Sequence, residues 1–558
     1  MDQLNVQLWV RMEPFLVGVL QLPPPSKFSM HYLRKMSSYV RTRSNDDCYP
    51  RLSWTMWKHI ACGKLQLPEN LAWLYFEVFD SLVKRTAEER LEWAEATCSC
   101  KSMEEYEKLK NTLSVDTLQF LLFLYIQQLN KVSLRRSVVG DEWPSLRMRS
   151  LSPEFSGKST CQYKNWDDYN HLSFILTHLA DLLELLLDPD QLTISCHSTH
   201  TSLLPLEAIQ ALSFLIEGMV DKNRTVYLLH DLALWNPLQA NSGYSKISKT
   251  FSLNKLQAWL KYSLVLNPFG VSACIKSGKK LAWAQQVEGT TKRAKVACNP
   301  YTAPEGHRMV VMSQVYRQTL AKSSETLVGA HVKINQCNES FIYLLSPLRS
   351  VTIEKCRNST FVLGPVQMAI HVQSCENMKV IAISYRLSIC STTSCTFHIL
   401  TPTRPLILSG NQGLILAPFH TYYPMLEEQM AHTGLATIPN SWDNPMVMNV
   451  ETSDAASSWQ LQSPREFYVF VIPFEMDGDT TEIPGGLPSL YQKAMNHREQ
   501  RIQIWQKTVK EAGLTREQRK QFQAVVEHKF NEWLIQTGNR QQLDSLVPPT
   551  AGSRQVAG

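Results

Sequence analysis

Three stretches of the chain align on a cysteine: HVKINQCNESFIYLL from His331, VTIEKCRNSTFVLGP from Val351 and AIHVQSCENMKVIAI from Ala369. Cys337, Cys356 and Cys375 stand nineteen residues apart. Ahead of each lies an apolar pair: Val332 and Ile334, Val351 and Ile353, Ile370 and Val372. After each comes a polar turn and a second pair: Ile342 and Leu344, Phe361 and Leu363, Val380 and Ala382. Ser-Pro or Gly-Pro then opens the next leg. A shorter turn continues with Leu387 and Ile389, and a further step reaches Leu406 and Leu408. A fixed period near twenty, with short strands and no helical period, predicts a β-solenoid. Its coils would stack at about 4.8 Å, so five of them make a prism roughly 20–25 Å long.

Stacking also assigns the cysteines. One per coil gives a column inside the prism, and free cysteine behaves there as a small buried hydrophobe. A zinc site needs four ligands converging on one point, which a nineteen-residue step does not supply. The motifs CSC at Cys98 and CHSTH at Cys196 lack partner pairs, so no metal is expected.

The chain has 558 residues, more than one ordinary domain, and two to four units are expected. With 44% hydrophobic and 19% charged residues it can bury cores. The net charge of +6 is mild, does not call for nucleic acid, and suits an acidic protein partner. The first residues carry an acid and an interrupted apolar run, so no signal peptide is expected. The apolar runs LQFLLFLYIQQL and LADLLELLLDP are too short to span a bilayer. A soluble intracellular protein follows as the expectation. Its thirteen cysteines are then free thiols, and sequons at Asn223, Asn338 and Asn358 carry no weight.

Residues 1–265 read as an α-helical region. SVDTLQFLLFLYIQQLNKV is expected to start at Ser114 as N-cap, and PLEAIQALSFLIEG to be helical from Pro205 to Gly218. Residues 137–168 read as a surface loop. A basic linker, 266–303, carries Lys276, Lys279, Lys280, Lys292, Arg293 and Lys295. The strand-rich domain covers 304–435. An extension, 436–487, is expected to hold one strand, FYVFVIPFEM, and a Gly-Gly turn. Residues 488–545 read as a charged helical hairpin, with Gly513 as a stop and Thr515 and Gln518 as a capping box. Trp505, Phe522, Phe530 and Trp533 would line its inner faces. It is equally readable as a partner-binding arm. A disordered tail, 546–558, closes the chain.

The Gly364-Pro365-Val366 corner, the column cysteines, Pro405-Leu406-Ile407, Ala417-Pro418-Phe419, the region of Tyr423 and Trp442-Asp443 carry a specific resemblance. Together they resemble the tubulin-binding cofactor C domain, also called the C-CAP or cofactor C-like domain. The resemblance implies a right-handed parallel β-helix for 304–435, and hence an α+β multidomain chain with a helical N-terminal region and a helical tail.

Catalytic members of that family activate GTP hydrolysis by tubulin or ARF-like small G proteins. They use an arginine in a Gln-x-Arg motif on a strand face. Such a finger places a fixed planar charge where γ-phosphate charge spreads, worth about 10³–10⁵ in rate. Aligned on the cysteine column and on Thr403-Arg404-Pro405, the motif falls on Tyr385-Arg386-Leu387-Ser388. Ser388 holds the arginine position and Arg386 the glutamine position. Residues two apart share a face but sit about 6.8 Å apart, so Arg386 is a poor substitute finger. It is expected instead as a surface charge or docking contact. Tyr385, Arg386, Ser388 and Arg404 are the expected binding face.

No catalytic residue and no cofactor are therefore expected. The resemblance implies a binding or scaffold protein of the microtubule-organising system, in cytoplasm, centrosome and spindle pole, with effects on Golgi positioning, cell shape and migration. Its expected partners are proteins: tubulin, centrosomal proteins or ARF-like G proteins. The competing expectation is a GTPase activator. A β-helical carbohydrate enzyme is disfavoured, because Glu339, Glu354 and Glu376 are the only acids between His331 and Gly413.

Overall fold

A computed structural model describes residues 5–43, 51–129, 166–188, 202–220, 225–280, 295–299, 303–304, 306–436, 439–448, 458–536, 540 and 543. Most of the 137–168 loop, Cys196 and the 546–558 tail lie outside them. The chain forms two compact units. One comprises 1–84, 99–277 and 302–307; the other comprises 85–98, 278–301 and 308–558.

The first unit is mainly helical. It holds α1 (Met30–Thr42) and α2 (Glu69–Leu82). The next helix, α3 (Ala87–Ser99), counts almost wholly with the second unit. There Arg90 lies against Gly434, whose added Cβ would meet the Arg90 Cβ at 2.8 Å. The expected boundary near 265 is thus crossed by an earlier helix. The first unit continues with α4 (Thr117–Ile126), α5 (Trp166–Leu185), α6 (Leu206–Leu212) and α7 (Leu253–Ser263). Trp54, Trp57, Phe76, Phe79, Phe120 and Phe123 are each fully buried in its core.

Two expectations shift here. Ser114 does not cap α4: Ser114–Val115 pairs as a strand with Leu52–Ser53. Asp116 is the N-cap, and its carboxylate accepts from the Gln119 N–H at 2.8 Å. The helix expected to reach Gly218 ends at Leu212. After it, β2 (Ile216–Val220) pairs antiparallel with β1 (Val6–Val10). Gly218 is a close backbone approach rather than a helix stop, because a Cβ there would meet the Gln7 carbonyl at 2.5 Å.

The second unit is the solenoid. The basic stretch does not act only as a linker: β3 (Lys295–Cys298) pairs antiparallel with β4 (Met309–Ser313), the first strand of the stack. The stack continues through β5 (Thr319–Lys322), β6 (Ala330–Asn335), β7 (Phe341–Leu344), β8 (Leu348–Glu354), β9 (Thr360–Leu363), β10 (Val366–Gln373) and β11 (Lys379–Cys390). It ends with β12 (Thr396–Leu400), β13 (Leu406–Ile407), β14 (Leu414–Pro418), β15 (Met446–Val447) and β16 (Trp459–Leu461). Pairing within the stack is parallel throughout. One sheet runs β4-β6-β8-β10-β11-β13-β15, the other β5-β7-β9-β11-β12-β14-β16. The solenoid makes about six turns over 309–418, one more than the repeat alone suggested.

Apolar residues of both sheets point inward, so Ile342, Phe361, Val380, Phe397 and Leu416 form one column. The cysteines form another. The Cys337 N–H donates to the Cys356 Sγ at 3.4 Å, and all three thiols are buried. The hydrogen bond with Cys337 is the main influence pushing the Cys356 thiol up. The bond with Cys356, then burial, pushes up Cys375. Protonated buried thiols are inert wall material.

The other sheet is buried on its outer side as well. Tyr343, Val362, Ile381 and Ile383 pack there against Phe419, Tyr423, Leu426 and Met430. The last two belong to α8 (Leu426–Thr433). Beyond it, α9 (Ser489–Glu511) and α10 (Arg516–Gln536) close the described chain. Thr515 and Gln518 cap α10 reciprocally, at 3.0 and 3.3 Å.

Candidate binding face

The repeat breaks where the finger strand falls. From Gln373 to its partner Cys390 the step is seventeen residues rather than nineteen. Earlier coils turn at Ser346-Pro347 and Gly364-Pro365, whereas β11 runs through its corner at Ile383-Ser384 without a proline. The ladder consequently changes composition. Below Cys375 stands Thr392, whose hydroxyl accepts the Cys375 N–H at 3.5 Å, and Asn411 follows. Cys395 belongs to a neighbouring column, where it accepts the Met378 N–H at 3.2 Å.

This register places the expected binding residues. Leu387 and Ile389 point inward, so Arg386 and Ser388 share the outer side of the first sheet. Arg386 continues the row His331, Ser350, Ala369. Ser388 continues Lys333, Thr352, His371. The shared face was legible; its exposure was not. Arg386 is 2% exposed and Ser388 4%, so neither is a surface contact. The whole Arg386 row is buried, with His331 hydrogen-bonded to Ser350 at 2.7 Å. Burial, then the Arg386 charge, lowers the His371 pKa to about 3.

The other two residues are also engaged inside the fold. Arg404 donates to the carbonyls of Asn444 and Pro445 at 3.0 and 2.9 Å, fastening that loop to its coil. Tyr385 packs against the outer cluster, and its carbonyl accepts from the Thr403 hydroxyl at 2.7 Å. Among the described residues, no group of three or more His, Cys, Asp or Glu converges on one point.

The solvent-facing side of the repeat is the third, narrow side that the expectation missed. Tyr316, Asn338, Arg357, Glu376, Thr393 and Gln412 form a ladder of single parallel bridges along it. Left-handed residues flank each rung, among them Glu339, Lys355, Asn358, Ser374 and Asn377. One left-handed position stands just before each cysteine and one two residues after it, and the polar residues that recur there (Gln336 and Glu339, Lys355 and Asn358, Ser374 and Asn377) were the available signal. Arg357 and Glu376 pair at 3.3 Å, and the Asn377 amide donates to Asn358 at 2.8 Å. The result is a rigid polar strip.

A second buried polar pair lies on the other sheet. The His398 and His420 rings stack with centroids 3.5 Å apart and planes within 6°. Phe467 packs at 6.1 and 5.7 Å, and neither Nδ1 makes a hydrogen bond. Burial, then the charge of Lys379, lowers the His398 pKa to about 3. Burial, then His398 and Lys379, holds His420 well below the usual range. Both rings are therefore neutral in the fold, while unfolded histidine titrates near 6.5. Stability is full above that value and falls as the pH drops from 6.5 toward the folded values. Between pH 7.5 and 5.5 the pair should cost the solenoid about 3 kcal/mol. Denaturant titrations at both pH values measure it together with the smaller share of buried His371, and His398→Gln/His420→Gln should remove the larger part of the difference, leaving the share of His371. An unchanged pH dependence in the double variant refutes it.

Residues 329–447 match the family model described as tubulin binding cofactor C. The whole chain is similar to TBCC domain-containing protein 1 of Bos taurus and of Homo sapiens. Each is 70% identical over 558 residues, covering 100% of both chains. The protein of that name from Danio rerio is 57% identical over 554 residues, 99% of this chain and 95% of that one.

Proposed function

The chain belongs to the family of TBCC domain-containing proteins, and from that premise we propose a non-enzymatic cytoskeletal scaffold. It works in the cytoplasm at the centrosome, spindle pole and microtubule-organising centre. Through protein partners such as tubulin, centrosomal proteins or ARF-like small G proteins, it helps position centrosome and Golgi, and so affects cell shape and migration. The cytoskeletal setting rests on the family. The non-enzymatic reading is supported by one observation, that Arg386 is 2% exposed, taken with the sequence alignment in which Ser388, two residues on, falls at the family's arginine position. A finger must enter another protein's nucleotide pocket, and a buried guanidinium has no path there. The exposed polar strip offers the solenoid a place to dock without chemistry.

Single-turnover GTP hydrolysis by tubulin and by ARF-like G proteins, with the full chain added, tests this. The expected rates stay within about twofold of the unassisted ones, against the 10³–10⁵-fold of a working finger. Acceleration that disappears in Arg386→Ala would show that the face opens and that the protein is a GTPase activator. Imaging of the tagged full chain tests the setting, since uniform cytoplasmic signal through mitosis contradicts it.

A further inference from the structure

The C-terminal helices carry an apolar surface that the solenoid does not consume. On α9, Tyr491, Met495, Arg498, Ile502, Trp505 and Val509 follow alternating steps of four and three, the spacing of one helical seam. The first half of that seam is used. Tyr491 is 5% exposed and its hydroxyl donates to the Gln462 carbonyl at 2.6 Å. Arg498 donates to the carbonyls of Phe467 and Arg465 at 2.6 and 2.7 Å. The second half continues into solvent, with Ile502 41% and Trp505 51% exposed.

On α10, Phe522, Val526 and Phe530 lie four residues apart and share a face. Val526 and Phe530 are 41% and 53% exposed. The two stripes meet where Trp505 and Phe522 approach, with ring centroids 6.1 Å apart. The hairpin expected from the sequence thus covers only part of its apolar surface, and a third helix would complete the seam. Charge selects the occupant. From Ser489 to Gln536 there are nine Lys or Arg and five acids, a formal +4. A second copy would bring the same positive charge, whereas an acidic helix complements it.

We propose that this arm docks an acidic amphipathic helix of a partner protein, whose apolar face covers Ile502, Trp505, Val526 and Phe530. The arm lies outside residues 329–447 that match the family, so the inference does not depend on the role proposed for the solenoid.

The test is fluorescence anisotropy of a labelled synthetic helix titrated with the full chain. The peptide has about four heptads, with leucine at the core positions and glutamate flanking them. It should bind, and raising salt from about 50 to about 500 mM should weaken binding about tenfold. Ile502→Glu/Phe530→Glu should abolish binding with the circular dichroism unchanged, because both positions are exposed. Absence of binding overturns the proposal, as does equal binding of a lysine-flanked peptide. So does a dimer of the full chain that the same variant disperses, which would make a second copy the occupant. Preference for phosphatidylserine–phosphatidylcholine vesicles over the peptide would make it a membrane contact instead.

Discussion

Phe397→Ala should destabilise the solenoid by about 4 kcal/mol, the usual cost of deleting a buried aromatic ring and leaving its cavity. Phe397 is fully buried and stands between Val380 and Leu416 in the inward column. Strands on both sides hold its neighbours at fixed spacing, so the coils cannot collapse into the gap without breaking their ladders. Loss of packing should therefore be local to the stack. Hydrogen exchange of amides in β11, β12 and β14 should accelerate, while those of α2 and α4 keep their protection. The apparent melting temperature of the solenoid should fall by about 10 °C. A loss under about 1 kcal/mol would mean that the column is loosely packed and this reading of the core is wrong.

Gly364→Ala comes next, at about 3 kcal/mol, by the opposite mechanism of overpacking. Gly364 has no unusual backbone angle to protect. Its requirement is space: a Cβ would meet the Ser346 carbonyl oxygen at 2.2 Å and its carbonyl carbon at 2.8 Å. Ser346 is the corresponding corner of the previous coil, and the Gly364 N–H donates to Leu344 of that coil at 2.7 Å. The methyl group can be admitted only by separating two coils. Gly63→Ala is the control, since nothing lies within 4 Å of the added carbon. Its effect should stay within about 0.5 kcal/mol. Equal melting curves for the two variants would show that the corners do not touch.

The sequence made the solenoid legible because its periodicity is enforced by stacking. An inward residue that drifts one position flips to the other face, so Cys337, Cys356 and Cys375 had to keep step. The seventeen-residue coil was legible only as a shorter turn. Its register required knowing that β11 passes through a corner without bending at a proline. The shared face of Arg386 and Ser388 followed from strand alternation alone. Their burial did not, because alternation separates inside from outside a coil and says nothing of what covers the outside. Local signals were likewise ambiguous in the helical unit. Ser114 and Asp116 are both good caps, and tertiary pairing of Ser114 with Ser53 decided between them. Gly218 suits a helix end and a close strand crossing equally well, until the partner strand near Gln7 is known.

The apolar layer outside the second sheet bears on how this domain can be handled. Phe470, Ile472, Phe474, Met476 and Ile483 all pack onto it from beyond residue 447, where the family match ends. Inside the stack itself, Phe467 and Tyr491 complete the core. A fragment cut at the edge of the family match would keep the cover given by Phe419, Tyr423, Leu426 and Met430 but strip Phe474 from Tyr343, whose rings lie 5.0 Å apart, and so leave part of this wall facing water. Such a contiguous greasy wall invites aggregation. The sequence that defines the family and the polypeptide that can live alone in solution have different ends, and the second extends into the base of the arm.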